Sequence, residues 1–420
     1  MVQELKETAT STFGNRYLEP ASRSAELSAR ARAVMPGGNT RRTVFTPPYP
    51  AYAASAQGAY IVDVEGQRRL DFVNNYTALI HGHAHARILE EVGRQLSLGT
   101  AVSFPTESEI RLAELLVDRV DSLEQVRFTN SGTEAVMMAI QAARAYTGRD
   151  KVAKFDGCYH GSYENAEVLL PFNDPDCVDR LLRQHASELA AVLVDPLPHR
   201  PGFLDPVPEL LPRLRAITRE LNVLLISDEI ISFRLDYHGP QQRYAYAADL
   251  TTLGKIIGGG FPVGAFGGRA DVMALFDPTH PGRQVAHGGT YNGNPVTMIA
   301  GHAAMTMLTP QAFDRLAGLG QRLRSGLANV FETRGVSWQV TGQGSLFKLH
   351  PHPRPLVDYR SALPYPAEQS AAEQFYLAML GNGIVLTPDL AGALSTPMAE
   401  SHVDELVETA DRVFGQLETR

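Results

Sequence analysis

Between residues 125 and 254 the chain alternates short apolar runs with helix-like stretches. The runs are rich in β-branched residues and read QVRFT, KVAKF, LAAVLVD, NVLLISDE and DLTTLG. Continuous apolar strands joined by helices are typical of a parallel sheet that helices cover on both faces. The pattern therefore predicts an α/β fold for the middle of the chain.

The chain is long for a single domain. Its 420 residues leave room for a large domain and a second, smaller one. After about residue 305 the sequence returns to helical stretches, a few strand-like runs and a final amphipathic segment, SHVDELVETADRVFGQLE. We therefore expect residues 71–305 to form a large α/β domain and residues 306–420 to belong to an α+β domain.

Charge and composition exclude several classes of protein. The net charge is -8 and no block of Lys and Arg is present, which argues against nucleic-acid binding. No run of about 18 apolar residues exists, so no membrane span is predicted. Cys158 and Cys177 are the only cysteines, and residues 1–20 lack the apolar core of a secretory signal. We expect a cytoplasmic protein.

The ends of the predicted strands carry the polar residues. In parallel sheets ligands bind outside the carboxyl ends of the strands. In RFTNSGTEA the small residues around Ser131 and Thr133 separate a strand from a helix, which suits a phosphate at the helix N-terminus. The same residues are also common helix caps. Capping and phosphate binding are compatible at this position.

Two further strand ends carry charge. The run NVLLISDE leads directly into Asp228 and Glu229, and a buried carboxylate needs a cation or hydrogen bonds. Either residue could equally be a helix cap or part of a structural ion pair. Lys255 follows DLTTLG, where burial would lower its pKa and leave a nucleophilic amine. Taken alone, this lysine could also be a solvated residue beside a turn.

Together these residues are the parts that pyridoxal phosphate requires: a phosphate anchor, a carboxylate, the aromatic Tyr159 and a lysine amine. Five segments resemble, in order, the motif set of class III aminotransferases, which are fold type I pyridoxal phosphate enzymes. They read TNSGTEA, FDGCYHG, SDEIISFR, TTLGKIIGGGFPVGAFGGR and HGGTYNGNP. The segment MPGGNTRRTVF looks like the glutamate-1-semialdehyde aminomutase group and its β-amino-acid aminotransferase relatives.

The resemblance implies an architecture and a set of cofactor contacts. The small domain would combine residues 1–70 with residues 306–420, and Lys255 would bind the cofactor covalently and later carry the proton. Asp228 would pair with the pyridinium nitrogen. The remaining expected contacts are Ser131, Gly132 and Thr133 at the phosphate, Tyr159 and Ile230 on the two ring faces, His160 near the ring, and Thr290 at the phosphate of a neighbouring subunit. The last role implies a homodimer with shared active sites.

The resemblance also suggests residues that bind the substrate. Arg41 resembles an arginine that grips a substrate carboxylate in the β-amino-acid relatives, although Arg42 beside it leaves the assignment open by one position. Tyr76 could line the pocket or only pack, and Arg200 could contact the substrate or lie on the rim. Asp389 occupies the position at which a relative has a second arginine. It is therefore doubtful that the substrate of that relative can be assigned to this chain.

Two segments depart from the family pattern. Asp195-Pro196 replaces the usual Glu-Pro and is one methylene shorter. After Tyr159, His160 and Gly161 the chain has only SYENAEV where relatives carry a longer excursion, which in the aminomutase traps the released intermediate. The short segment argues against a mutase and for a more open site.

These observations predict an aminotransferase that moves an amino group from an amino acid, a β-amino acid by preference, or an amine to a keto acid. An aminomutase or a racemase is the alternative within the same cofactor chemistry. A phosphate- or nucleotide-binding module is a remote alternative, because no GxxxxGK[ST] motif is present. The histidines of IHGHAHA resemble a metal tract, but similar loops occur in the family without metal, and no metal site is predicted.

Overall fold

The structure is a computed structural model that describes residues 14–163 and 166–418. The first 13 residues, where the absence of a secretory signal was predicted, lie outside this part of the chain. So do two residues of SYENAEV, the segment that is short relative to the family. Within the described ranges, no helix is both long and apolar enough to cross a membrane.

A seven-stranded sheet forms the centre of the molecule and confirms the predicted α/β fold. Its order is β4-β10-β9-β8-β7-β5-β6, and only β10 runs antiparallel to its neighbours. The predicted apolar runs supply five of its strands. The strands of the sheet are β4 (Gln125–Thr129), β5 (Lys151–Phe155), β6 (Val168–Leu170), β7 (Leu189–Val194), β8 (Leu224–Asp228), β9 (Leu250–Gly254) and β10 (Gly264–Gly268).

Helices cover both faces of this sheet. Along β7 the side chains of Val192 and Val194 pack into one hydrophobic cluster, and Leu193 between them packs into the cluster on the opposite face. The alternation explains why the run is apolar throughout, because neither face reaches water. The helices with ordinary right-handed geometry are α1 (Arg23–Val34), α2 (Ala86–Leu96), α3 (Glu107–Arg119), α4 (Gly132–Thr147), α5 (Pro175–His185), α6 (Leu210–Glu220), α7 (Pro240–Arg243), α8 (Ala270–Met273), α9 (Pro295–Met307), α10 (Pro310–Arg334), α11 (Tyr359–Ala362), α12 (Pro366–Gly381) and α13 (Glu400–Glu418).

Two smaller sheets flank the central one. In the first, β13 from the C-terminal part pairs in parallel with β3 from the N-terminal part, so both ends of the chain share a sheet. The predicted domain boundary at residue 305 falls inside α9, and the boundaries themselves stay predictions. The strands are β1 (Ala53–Gln57), β2 (Tyr60–Asp63), β3 (Arg68–Asp71) and β13 (Ile384–Val385) in one sheet, and β11 (Gln339–Thr341), β12 (Leu346–His350) and β14 (Ala391–Ala393) in the other.

One buried arginine joins three parts of the chain just behind the carboxyl end of β8. Arg234 belongs to the SDEIISFR motif and is almost completely excluded from solvent. Its Nε donates to Ser345 Oγ at 3.0 Å, and its Nη1 donates to the carbonyl of Thr77 at 2.9 Å. Its Nη2 donates to the carbonyl of Leu394. The motif arginine is therefore structural, and it ties the central sheet to the N-terminal and C-terminal segments.

Candidate active site

A cavity of about 510 Å³ opens at the carboxyl ends of β7, β8 and β9. Most of the predicted site residues line it, namely Arg41, Ser131, Gly132, Thr133, Tyr159, Asp228, Ile230 and Lys255. The sheet topology explains this convergence, because the carboxyl ends of parallel neighbours meet at one edge. Four predicted residues lie outside the lining, namely Tyr76, His160, Arg200 and Thr290.

Lys255 follows β9 directly and opens a short 3-10 helix, Lys255–Gly258. Its φ of 49° turns the chain sharply at the end of the strand, a conformation that non-glycine residues rarely adopt. Removal from water lowers the pKa of its amine, while the nearby carboxylates of Asp228 and Asp195 act in the opposite direction. The net effect of this environment is to favour the neutral, nucleophilic amine.

Asp228 is the last residue of β8, and each of its two carboxylate oxygens has a hydrogen-bond partner. Its Oδ1 accepts from the backbone N–H of Ile230 at 3.2 Å, and its Oδ2 lies 2.7 Å from His160 Nδ1. His160 is buried, and its Nε2 has no hydrogen-bond partner within the described part of the chain. The histidine therefore contacts the carboxylate from behind and does not line the cavity.

Glu229 faces the opposite side of the sheet from Asp228. Its Oε1 accepts from Ser227 Oγ at 2.9 Å and from Gln241 Nε2 at 2.6 Å, inside the core. Burial raises the pKa of Glu229 to about 8, and its Oε2 has no partner among the described residues. Glu229 is therefore a buried structural carboxyl group, and Asp228 is the one available to the cavity.

The N-terminus of α4 forms another wall of the cavity. Ser131 caps this helix, and its hydroxyl accepts from the backbone N–H of Glu134 at 3.2 Å. The N–H groups of Gly132 and Thr133 lie in the first turn, where no intrahelical acceptor exists, so they are free to bind an anion. Gly132 leaves room for Ile230, because a Cβ there would lie 2.5 Å from Ile230 Cδ1.

Tyr159 lies at the mouth of the cavity with its side chain about half exposed. Its hydroxyl is 3.1 Å from Ser162 Oγ, which holds the ring in place. The Arg200 guanidinium lies 5.4 Å from the centroid of the ring, in a cation–π contact. Arg200 itself is exposed and does not line the cavity.

The wall farthest from the sheet comes from the N-terminal part of the chain. Arg41 lines the cavity, whereas Arg42 does not. Arg41 Nη1 donates to Asn75 Oδ1 at 2.7 Å. Tyr76 lies beside this pair, but its hydroxyl donates to the carbonyl of Thr43 and its ring packs outside the cavity lining.

Three other predicted positions have distinct surroundings. Thr290 is exposed on the surface of this single chain. Asp195 lines the cavity, and burial, followed by the charge of Asp228, raises its pKa to about 8. Asp389 is 2.8 Å from Lys348 Nζ, and this cation holds the pKa of Asp389 below its usual range despite partial burial. Asp389 is therefore an ionised member of an ion pair.

Several lining residues were not singled out from the sequence, among them Asn75, Asn130 and Phe261. Asn130 was visible as part of the small polar segment TNSGT, and its Nδ2 donates to Asn292 Oδ1 at 2.7 Å. Asn75 follows β3, which belongs to a different sheet. No local pattern in the sequence indicated that it lines the same cavity as Lys255.

The donor set of the cavity fits pyridoxal phosphate. A buried amine, a fixed carboxylate, a helix N-terminus with hydroxyl groups and an aromatic ring surround one space. Gly132 and Ile230 both line this space, and they pack so closely that a Cβ at Gly132 would clash with Ile230. No cluster of three or more metal-binding side chains occurs in residues 14–163 and 166–418.

Comparisons with known proteins agree with this chemistry. The family profile described as aminotransferase class-III matches residues 44–169 and 170–388. A solved ω-transaminase from Sphaerobacter thermophilus is similar, with 53% identity and a TM-score of 0.94 over 96% of this chain and 100% of that one.

Two curated relatives carry different names. The β-phenylalanine transaminase of Variovorax paradoxus is 38% identical over 94% of this chain and 93% of its own length. A glutamate-1-semialdehyde 2,1-aminomutase from Methanothermobacter thermautotrophicus is 35% identical over 94% of this chain and 99% of its own length. The two relatives share one fold and differ in the named reaction.

We predict that Glu229 makes the stability of the protein depend on pH. Its pKa is about 8 in the folded state and near 4.5 when unfolded, so between these values the folded state binds more protons. The free energy of unfolding should then fall as pH rises, by up to about 1.4 kcal/mol per pH unit. Glu229→Gln cannot ionise and should flatten this slope in urea titrations from pH 5 to pH 8.

The exposed Glu405→Gln variant is the matched control and should keep the wild-type slope. Asp195 contributes nearly the same slope to all three proteins, because burial and Asp228 raise its pKa more than Glu229 does. Parallel curves for wild type and Glu229→Gln would contradict the assignment.

Proposed function

The chain belongs to the class-III aminotransferase family, and we propose that it transfers the amino group of a β-amino acid to a keto-acid acceptor. The cofactor of this enzyme class is pyridoxal phosphate. The observation that carries the proposal is the single cavity that contains Lys255, Asp228 and Arg41. It combines an amine, a carboxylate and a cation able to bind a substrate carboxylate.

Pyridoxal phosphate supplies an aldehyde that exchanges amines and a ring that withdraws electrons from the bond to be broken. Ser131, Gly132 and Thr133 would hold its phosphate through hydroxyl and backbone N–H groups. Asp228 would face the ring nitrogen, and Tyr159 and Ile230 would contact the two faces of the ring. His160 would act through Asp228, because its Nδ1 fixes one oxygen of that carboxylate.

Lys255 is the residue best suited to move the proton. Burial lowers the pKa of its amine, which raises the fraction of the neutral base at a given pH. It would remove the proton from the amine-bearing carbon of the donor. In the second half-reaction it would deliver a proton to the carbonyl-derived carbon of the acceptor. The nearby carboxylate of Asp228, and that of Asp195 when it is ionised, support both roles, because their negative charge stabilises the protonated amine.

Arg41 would select substrates that carry a carboxylate. A guanidinium binds a carboxylate through paired N–H donors, and Arg41 makes no ion pair within the described residues. The β-phenylalanine transaminase relative supports a β-amino acid as the donor. An α-amino acid or a simple amine is the next choice.

Isomerisation by an aminomutase or a racemase is the alternative reaction. The similarity to a glutamate-1-semialdehyde 2,1-aminomutase supports this alternative. Transamination is favoured by the 53% identity to a solved ω-transaminase and by the short segment after Gly161. Product formation without any keto acceptor would identify an isomerase. A non-catalytic phosphate-binding module would show no amine-dependent change at all.

We further propose that two copies of the chain form a homodimer with shared active sites. Large apolar side chains are exposed along one stretch, including Leu98 at 77%, Val102 at 52% and Phe104 at 83%. Exposed apolar surface of this kind is typical of an interface between subunits. Thr290 is exposed in a single chain and would reach the phosphate of the partner subunit.

A cytoplasmic location is the simplest proposal for the compartment. Cys158 is a buried free thiol and Cys177 is a partly buried one. Free cysteines in an enzyme suit a reducing environment. Retention of both thiols in protein isolated without reductant would support this location.

Lys255→Ala should abolish covalent attachment of the cofactor. After borohydride reduction, the intact mass of wild type should include the cofactor, whereas that of the variant should not. The rate of the amino-donor half-reaction should fall by at least about 10²–10⁴-fold, because the general base is lost. Lys151→Ala, at a lysine that pairs with Glu188, should behave as wild type. Undiminished attachment in Lys255→Ala would refute the assignment.

Arg41→Ala should raise KM for β-amino acids by about 10- to 100-fold, which corresponds to a charge-assisted hydrogen bond. The kinetic constants for an amine without a carboxylate, such as 1-phenylethylamine, should change little. Arg42→Ala is the control, because that side chain does not line the cavity. An equal effect on both substrates would show that Arg41 does not recognise the carboxylate.

Phe104→Glu should shift the protein from dimer to monomer in sedimentation experiments and weaken cofactor binding. A charge placed in an apolar interface has no partner and destabilises the association. Leu363→Glu, at an exposed apolar residue elsewhere on the surface, should leave the dimer intact. A wild-type protein that sediments as a monomer at micromolar concentration would overturn the proposal.

A further inference from the structure

Four consecutive residues beside the cavity, of which Asn75 lines it, have left-handed backbone geometry. Residues Asn74–Thr77 have φ values of 48°, 49°, 55° and 71°, and none of them is glycine. A left-handed conformation costs roughly 1–2 kcal/mol for each ordinary residue, and it normally occurs in isolated positions. A whole turn of this kind persists only where the surrounding structure holds it.

Several buried contacts hold this turn in place. Asp71 Oδ1 accepts from the backbone N–H groups of Val73 and Asn74 at 2.8 and 3.1 Å. Asn74 is buried, and its Nδ2 donates to the carbonyl of Ala393 at 2.7 Å. The carbonyl of Thr77 accepts from the fully buried Arg234 at 2.9 Å. The turn is therefore fixed from both ends by the N-terminal strand, the C-terminal segment and the central sheet.

The residue that this turn presents to the cavity is Asn75. It lines the cavity, and its Oδ1 accepts from Arg41 Nη1 at 2.7 Å. A guanidinium has donors only, so the amide oxygen must face Arg41 and the amide nitrogen must face away. Within the described part of the chain, Asn75 Nδ2 donates to no protein acceptor. The bond fixes one nitrogen of Arg41 and leaves its other donors available.

Asn75, the hydrogen-bond partner of Arg41, is neutral, and its neutrality matters for substrate binding. A carboxylate in place of Asn75 would hold Arg41 equally well but would neutralise its charge and repel an anionic substrate. An aliphatic residue would leave the long arginine side chain free to rotate, and binding would then lose the entropy of ordering it. An amide orients the guanidinium and keeps its full charge.

We propose that Asn75 is a positioning residue that orients Arg41 for the substrate carboxylate and thereby sets the preference for carboxylate-bearing donors. The inference rests on the proposed function, in which Arg41 binds that carboxylate. This role would explain why the turn is left-handed. A right-handed turn would direct the side chain of residue 75 away from Arg41. The geometry is maintained in spite of its conformational cost because substrate selection depends on it.

The test uses the cofactor-loaded enzyme and the variant Asn75→Gly. Glycine adopts φ near 49° without strain, so the substitution removes the amide while the turn is kept. KM for a β-amino acid should rise about 5- to 30-fold, as expected for loss of a bond to a charged group. The kcat value, and both constants for 1-phenylethylamine, should stay within about twofold of wild type.

Binding of 3-phenylpropanoate, a carboxylate without an amine, provides a second measurement that does not depend on turnover. Its Kd, measured by calorimetry, should rise by the same factor in Asn75→Gly. In an Arg41→Ala background the glycine substitution should cause no further loss, because the two residues act as one unit. Asn75→Asp should weaken carboxylate binding at least as much as Asn75→Gly.

Asn222→Gly is the matched control, since Asn222 also has a positive φ, of 51°, and lies exposed at the opposite edge of the sheet. It should leave every constant unchanged. Equal losses for the β-amino acid and the amine in Asn75→Gly would overturn the inference, and so would additive losses with Arg41→Ala. If Arg41→Ala itself has no effect on carboxylate substrates, the proposed function fails instead, and the two failures are thereby distinguished.

Discussion

The site depends on an amine and two carboxylates that are removed from water at the same sheet edge. Burial lowers the pKa of Lys255 and raises that of Asp195, because the charged form of each loses its hydration. The charges of Lys255 and Asp195 act on each other against these shifts. Parallel strands create this situation because their carboxyl ends converge, and Asp195, Asp228 and Lys255 each lie at the end of a neighbouring strand.

A second layer of buried polar residues holds the groups that line the cavity. His160 bonds one oxygen of Asp228, and Asp71 with Arg234 supports the left-handed turn that carries Asn75. Residues in this layer do not line the cavity, yet they hold in place residues that do. The arrangement divides the cavity into two parts. The sheet provides the end with Lys255 and Asp228, and the N-terminal part of the chain provides the wall with Arg41.

The division of the cavity into two parts offers a physical reason why relatives with one fold are named for different reactions. The sheet edge supports amine exchange in general, because the cofactor supplies the chemistry and the strand ends only position it. In the function proposed above, residues from segments outside the sheet, such as Arg41 and Asn75, would discriminate between substrates. Such segments can change without disturbing the packing of the central strands. Relatives named as a β-phenylalanine transaminase and as an aminomutase are consistent with that view.

The sequence by itself determined the central fold and the chemical class of the site. Apolar runs predicted the buried parallel strands, and the polar residues after them predicted Lys255 and Asp228 as neighbours, because strand ends meet whatever the loops do. Only the tertiary structure decided that Glu229 points into the core, that His160 stands behind Asp228, and that Asn75 meets Arg41. These contacts join residues that are distant in the chain, or depend on which face a side chain takes. Local periodicity carries no information about either.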